Sequence, residues 1–366
     1  MSKRTHHHDA WPSTAADLHY VGGSGGSRAF LAGSASLLAC HAAGLTDWES
    51  MGGVSGGSIA TLLYTGGVHP ARIVVSAIDL DFTDLVTKKS TIPHFVRTKV
   101  RRKCNREPLS QGFVSTEGLG EFLESLVDEW PANYWTAAVA GNTQLIFTAF
   151  GVWEYHLDGR CTKLSDKPAP IGLAVRASCA VPGVLECVQY LGRDLFDGAI
   201  SQHGGCPVQL VKRHFGASMD NIVALELEGR VVSHHWFDPF TEFYARFVSH
   251  SFRHRVNRPV GETSGTGAGV YIRPTINGFT SLEFSLTREQ KETAVLEAFR
   301  STVHSLAVKG LVRGKRLEQL FAACQSFEEL ERLYLTPVMS PVPAPHRKWW
   351  QVWRRRNSKS AASNQH

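Results

Sequence analysis

No apolar run in this chain of 366 residues approaches the roughly 18 needed to cross a bilayer as a helix, so no helical membrane span is expected. The first nine residues, Met1 to Asp9, are polar and lack the apolar stretch of a secretory signal, and the cysteine usage that follows is the one expected of a cytoplasmic protein. His6, His7 and His8 read as a mobile tail rather than a metal site. The seven cysteines are odd in number and scattered, with no C-x-x-C pair. That spacing argues against structural zinc and for reduced, buried thiols, with no cofactor and no metal expected. Cys179 and Cys206 are read as small core fillers. No internal repeat and no second-domain linker occurs before Pro337, so one folded core is expected.

What is present fits an enzyme core. Apolar residues make up 43% and charged residues 20%, ordinary values for a globular chain long enough to bury a large interior. Gly53-Val54-Ser55-Gly56-Gly57 has the G-x-S-x-G pattern of a serine on a sharp strand-to-helix turn, flanked by Gly53 and Gly57. Gly22-Gly23-Ser24-Gly25-Gly26 fits the same pattern. Each copy lies between a short apolar run and a helix-like run, and Ile59, Leu62 and Leu63 follow the second at helical spacing before Gly66-Gly67 stops it. A loop of N–H groups at a helix N-terminus is suited to anions. One loop is therefore expected to hold a nucleophile and the other to stabilise an oxyanion, and the residues alone do not say which.

The rest of the core alternates strands and helices. Residues 144–150 read as a buried strand, 170–179 as a helix opened by proline, and 221–227 as another core strand. Residues 190–196 read as a hairpin that delivers Asp197 into a glycine turn, with Asp194 in the turn itself, where aspartate bonds locally. Thr287-Arg288-Glu289-Gln290 is a capping box, and the helix it opens carries Leu296, Phe299, Val303 and Leu306 on one face.

Taken together, Gly25-Gly26-Ser27-Arg28, Gly53 to Gly57, Arg176 to Gly183 and Asp197-Gly198-Ala199 stand in an order that resembles the patatin-like phospholipases. The resemblance covers roughly residues 17–310. It implies a three-layer α/β/α fold around a central, mostly parallel sheet. It implies that Ser55 is the nucleophile, that Asp197 is its base without a histidine, and that Gly25, Gly26, Ser27 and Arg28 form the oxyanion loop, with Ser24 inside it. The implied reaction is hydrolysis of phospholipid or other lipid esters, of phospholipase A or lysophospholipase type. The expected organisation is a tail over 1–16, the hydrolase domain over 17–335 and a spacer and tail over 336–366. Ser24, Ala29 and Cys206-Pro207 depart from the family pattern by small exchanges that bear on substrate range.

Three alternatives stand beside this reading. His203, six residues past Asp197, would complete a conventional Ser–Asp–His esterase. A transacylase would pass the acyl group to an alcohol. A non-catalytic lipid-binding or scaffolding protein would keep the fold alone.

Charge is concentrated at the end of the chain. The formal net charge is +6, and six basic residues with no Asp or Glu follow Ser340. Arg354, Arg355 and Arg356 adjoin Trp349, Trp350 and Trp353, three of the nine tryptophans, after a spacer containing Pro341, Pro343 and Pro345. Tryptophan favours the bilayer interface and basic residues favour anionic lipid. The tail is expected to attach the protein peripherally to an anionic membrane, with no specific nucleic acid as partner. A solvated, disordered tail is the other reading, and a second basic run from Arg97 to Arg106 has the same two readings.

Overall fold

A computed structural model of the chain describes residues 17–85, 87–88, 114–156, 158–182, 184–201, 204–227, 267–279, 281 and 283–336. The stretch 1–16, the basic run from Arg97 to Arg106, His203 and the tail from Pro337 lie outside the described residues.

The chain begins with two strand–loop–helix units: β1 (His19–Gly22) with α1 (Gly26–Ala42), and β2 (Ser50–Gly53) with α2 (Gly56–Thr65). There follow α3 (Pro70–Asp79), the short pair β3 (Thr87–Lys88) and β4 (Val114–Ser115), and α4 (Glu117–Leu126). A run of strands comes next: β5 (Tyr134–Ala140), β6 (Thr143–Thr148), β7 (Gly151–Tyr155) and β8 (Cys161–Ser165). Then come α5 (Ile171–Cys179), β9 (Val188–Tyr190), β10 (Arg193–Asp197), α6 (Val208–Phe215), β11 (Ile222–Leu225) and β12 (Val270–Ile272). The helices α7 (Arg288–Val308), α8 (Gly314–Ala323) and α9 (Phe327–Leu330) follow, with a π-helical turn over Glu331–Leu335 after them.

One sheet organises these elements. Strands β12, β11, β1, β2 and β5 lie side by side and parallel, as expected from βα units. An antiparallel meander, β5 through β8, extends the sheet beyond β5. Strand β10 joins β5 antiparallel and forms a hairpin with β9.

Alternation along the strands divides the core between the two faces. Tyr20, Val223 and Leu225 point into the large cluster beneath α1, α2, α3 and α7, whereas Val21, Ile222 and Ala224 point into a smaller one beneath α6. Ala138, Leu145 and Phe147 pack against Ala174 and Ala177 of α5. The result is the three-layer α/β/α arrangement. α1 is buried nearly all round, consistent with its small residues Ala32, Gly33, Ala35 and Ala39.

Local expectations hold with shifted ends. The strand expected over 144–150 spans Thr143–Thr148, the helix over 170–179 starts at Ile171 with Pro170 as its cap, and the strand over 221–227 spans Ile222–Leu225. The Thr287 capping box forms: the Gln290 N–H donates to Thr287 Oγ1 at 3.2 Å, and the Thr287 N–H donates to Gln290 Oε1 at 2.8 Å. On α7, Phe299, Val303 and Leu306 are fully buried and Leu296 half-buried. The hairpin turn is Leu191-Gly192, both at positive φ, and Asp194 lies within β10, where it accepts from Gln189. Asp194 is thus paired across the hairpin rather than set in its turn.

Candidate active site

The two glycine loops interlock through their backbones. Gly22 and Gly53 stand opposite each other at the ends of β1 and β2, and the Val54 N–H donates to the Gly22 carbonyl at 3.1 Å. A Cβ on Gly56 would lie 2.0 Å from the Gly26 carbonyl oxygen, and one on Gly57 would lie 2.3 Å from that of Gly23. The glycines are therefore required by close approach, which is why the pattern occurs twice in one chain.

Ser55 sits where β2 ends and α2 begins, with φ 54° and ψ −137°. Such a backbone is costly for a residue with a side chain and persists only where its surroundings hold it. Here the Ser55 N–H donates to Ser178 Oγ at 3.0 Å. The Ser55 carbonyl accepts Ser58 Oγ at 2.6 Å and the Ser58 N–H at 3.0 Å.

Asp197 arrives from the opposite direction. Strand β2 covers one edge of β5 as far as Thr136, and β10 takes over that edge with Asp197 opposite Ala138. The Asp197 N–H donates to the Ala180 carbonyl at 2.9 Å. Its Oδ1 accepts the Ala199 N–H at 2.8 Å, and the Ser55 side chain lies close enough to act on the carboxylate. Only 2% of Asp197 and 4% of Ser55 is exposed. Burial pushes the Asp197 carboxyl up to about 6, against the opposing pull of the Ala199 and Ser55 hydrogen bonds. The dyad partners expected from the sequence are thus brought together.

The loop after β1 is committed unevenly. The Ser24 N–H donates to the Gly205 carbonyl at 2.7 Å, so Ser24 lies in a loop tied to the chain beyond Asp197. Ser27 is turned to the segment before α7: its N–H donates to the Ser281 carbonyl at 3.3 Å and its Oγ to the Glu283 carbonyl at 2.9 Å. Arg28 is 2% exposed, and its Nη2 donates to the Ile276 carbonyl at 2.6 Å. Arg28 thus anchors the loop to the same segment. Among the described residues, no hydrogen bond takes the N–H of Gly25, Gly26 or Gly56. Those three amides stand where the two loops touch.

Sequence reasoning left out Gly56, Ser178 and Ala180. The N–H after an elbow serine is a usual oxyanion donor, so Gly56 was accessible from the pattern. Ser178 and Ala180 lie in the stretch singled out from Arg176 to Gly183, but nothing in their spacing reveals tertiary bonds. Cys179, between them, is fully buried, and burial and the nearby Asp197 push its thiol well above its ordinary value, as suits a core filler. Among the described residues, no three His, Cys, Asp or Glu side chains gather into a metal-binding group.

A sequence-family model described as patatin-like phospholipase matches residues 21–209, a span holding both glycine loops and Asp197. No curated protein matches the chain by sequence. Among solved structures, the chain is similar to VipD from Legionella pneumophila, at 12% identity and a TM-score of 0.46, over 88% of this chain and 77% of that one. That likeness is too distant to bear on function.

Proposed function

The chain belongs to the patatin-like phospholipase family, and from that premise we propose a lipid acyl hydrolase, of phospholipase A or lysophospholipase type, working through Ser55 and Asp197. The observation that carries this reading is Ser55, on a strained turn, set beside the buried Asp197 carboxylate, whose pKa burial raises to about 6. A free aspartate is a weak base at neutral pH, and raising its basicity strengthens it for proton transfer.

In the proposed cycle, Ser55 Oγ attacks the ester carbonyl carbon while its proton passes to Asp197. The N–H groups of Gly25, Gly26 and Gly56 receive the developing oxyanion, each such donor contributing about 3 kcal/mol. The tetrahedral species collapses, and the leaving alcohol departs with the proton from Asp197. Asp197 then takes a proton from water, which attacks the acyl-enzyme and releases the fatty acid as Asp197 returns that proton to Ser55 Oγ. An alcohol in place of that water would make the same cycle a transacylation.

The substrate class suggests an interface. The tail with Trp349, Trp350, Trp353 and Arg354 to Arg356 is proposed to hold the protein at the cytoplasmic surface of an anionic membrane.

Labelling with a fluorophosphonate probe tests the chemistry. The label is expected on Ser55, absent in Ser55→Ala and retained in Ser24→Ala. Asp197→Asn should slow labelling by orders of magnitude, whereas His203→Ala should leave it within about tenfold. A label mapped to Ser24, or its loss in a folded His203→Ala variant, would overturn the dyad.

A further inference from the structure

We propose that the C-terminal turn of α5 sets the alignment of Ser55 with Asp197, and that Ser178 is a positioning residue for the reaction. The proposal rests on the dyad reading above and deepens it.

The two partners come from strands that do not pair with each other: β2 and β10 each bond to β5, at different places along one edge. Pairing to β5 brings the two strand ends near each other, and the end of α5 adds a direct tie to the main chain beside each reacting group. Ser178 Oγ receives the Ser55 N–H at 3.0 Å, and two residues later the Ala180 carbonyl receives the Asp197 N–H at 2.9 Å. Both bonds are to backbone, so each holds the main chain from which a reacting side chain projects.

The form of each contact follows from local geometry. At φ 54°, the Ser55 amide turns out of the strand direction and away from helix partners, so a buried N–H needs an acceptor from elsewhere. A serine hydroxyl is an acceptor with two lone pairs, and Ser178 is completely buried beneath the elbow. Ala180 has φ −73° and ψ 73°, outside helical values, which frees its carbonyl from α5 to meet β10. A helix that stopped one residue earlier or later would break one of the two ties.

The helix itself is fixed from its far side. Glu124 Oε1 on α4 accepts the Gly172 N–H at 3.1 Å, and Arg176 Nε donates to Thr116 Oγ1 at 3.3 Å. The dyad is thus referenced to a framework outside the two loops that carry the pattern. Ser58, whose Oγ holds the Ser55 carbonyl, completes the grip from within α2.

The test uses the full chain and a soluble short-chain ester. Ser178→Ala is compared with Val175→Ala, a buried truncation in the same helix that touches neither backbone tie, and with Ser178→Thr, which keeps the hydroxyl. Ser178→Ala is expected to lower kcat by about 100-fold through misplacement of Ser55 Oγ, with KM within about twofold. Val175→Ala should lower thermal stability as much or more while keeping kcat within about twofold, and Ser178→Thr should recover most of the rate. A folded Ser178→Ala variant with unchanged kcat would overturn the proposal. Hydrogen exchange at the Ser55 amide decides independently of turnover: it should become faster in Ser178→Ala and stay unchanged in Val175→Ala. Equal exchange in the two variants would overturn the tie. Absence of turnover in the unaltered protein would instead count against the hydrolase reading, leaving the exchange result to judge Ser178.

Discussion

The Ser55 side chain and the Asp197 carboxylate meet at the point where one edge of β5 changes partner. Strand β2 occupies that edge up to Thr136 and runs upward into the elbow, while β10 occupies it from Ala138 and runs downward. The two side chains meet because two strand ends face each other across a gap in the pairing. Ala199 supports the carboxylate from the turn just beyond it.

A first consequence is a pH dependence. Asp197 must be ionised to accept the serine proton, and its pKa lies near 6. The value of kcat/KM on a soluble ester should rise through about pH 6 and level off above it, because this quantity reports the free enzyme's ionisations. A profile flat from pH 5 to 8, or one halved near pH 4, would contradict the burial of the carboxylate.

The same burial exacts a stability cost. A carboxyl whose ordinary value of 3.8 rises to about 6 on folding makes its favourable contribution below pH 3.8 and loses it as pH rises through 6. At neutral pH the ionised group then opposes folding by about 3 kcal/mol, an upper figure because the chain has other ways to relax. Asp197→Asn keeps an oxygen for the Ala199 N–H without a charge. It should raise the melting temperature by roughly 5 °C at pH 7.5, with the gain vanishing near pH 4, while turnover is lost. Calorimetry at the two pH values reads this directly.

The interlocked loops give a sharper contrast. Gly56→Ala places a methyl 2.0 Å from a backbone oxygen that has no room to retreat, and should abolish probe labelling and lower the melting temperature. Gly141→Ala is the control, since its Cβ would meet nothing within 4 Å and only its φ of +60° is unfavourable. It should cost about 1 kcal/mol and leave turnover intact. Equal effects from the two substitutions would mean that the loops do not interlock as described.

For the tail, removing residues 340–366 should sharply weaken binding to anionic vesicles at physiological salt and leave cleavage of a soluble ester nearly unchanged. Replacing Trp349, Trp350 and Trp353 with Ala should weaken binding independently of salt, and replacing the arginines should remove the salt-sensitive part. The assignment fails if the truncated protein binds such vesicles as well as the full chain.

What was legible in the sequence was what is written locally. The two strand–glycine–helix units, the capping box at Thr287 and the delivery of Asp197 by a hairpin all follow from turn and capping chemistry confined to a few neighbouring residues. The turn position was missed because Leu191 adopts φ 49°, a conformation that turn preferences assign to glycine or asparagine. Ser178 and Lys291 were missed for another reason. Each acts on backbone far along the chain, Lys291 by donating from α7 to the carbonyls of Ile78 and Leu80 at 2.9 and 2.7 Å. A bond to a distant main-chain atom leaves no side-chain pattern at the receiving end, so composition and spacing carry no trace of it.

The order of the strands has a consequence for the chain as a folding unit. β1, which leads into the glycine loop, is hydrogen-bonded on one side to β2 and on the other to β11, and the Gly23 N–H relies on the Leu225 carbonyl at 2.8 Å. The span that identifies the family stops at residue 209, before β11 begins at Ile222. A fragment trimmed to that span would keep every residue of the proposed chemistry and yet expose a bare edge in the middle of the sheet, where another chain can pair. The segment that defines kinship is thus shorter than the segment that can stand alone, and β11, which carries no chemistry, covers the edge of β1 beside the site.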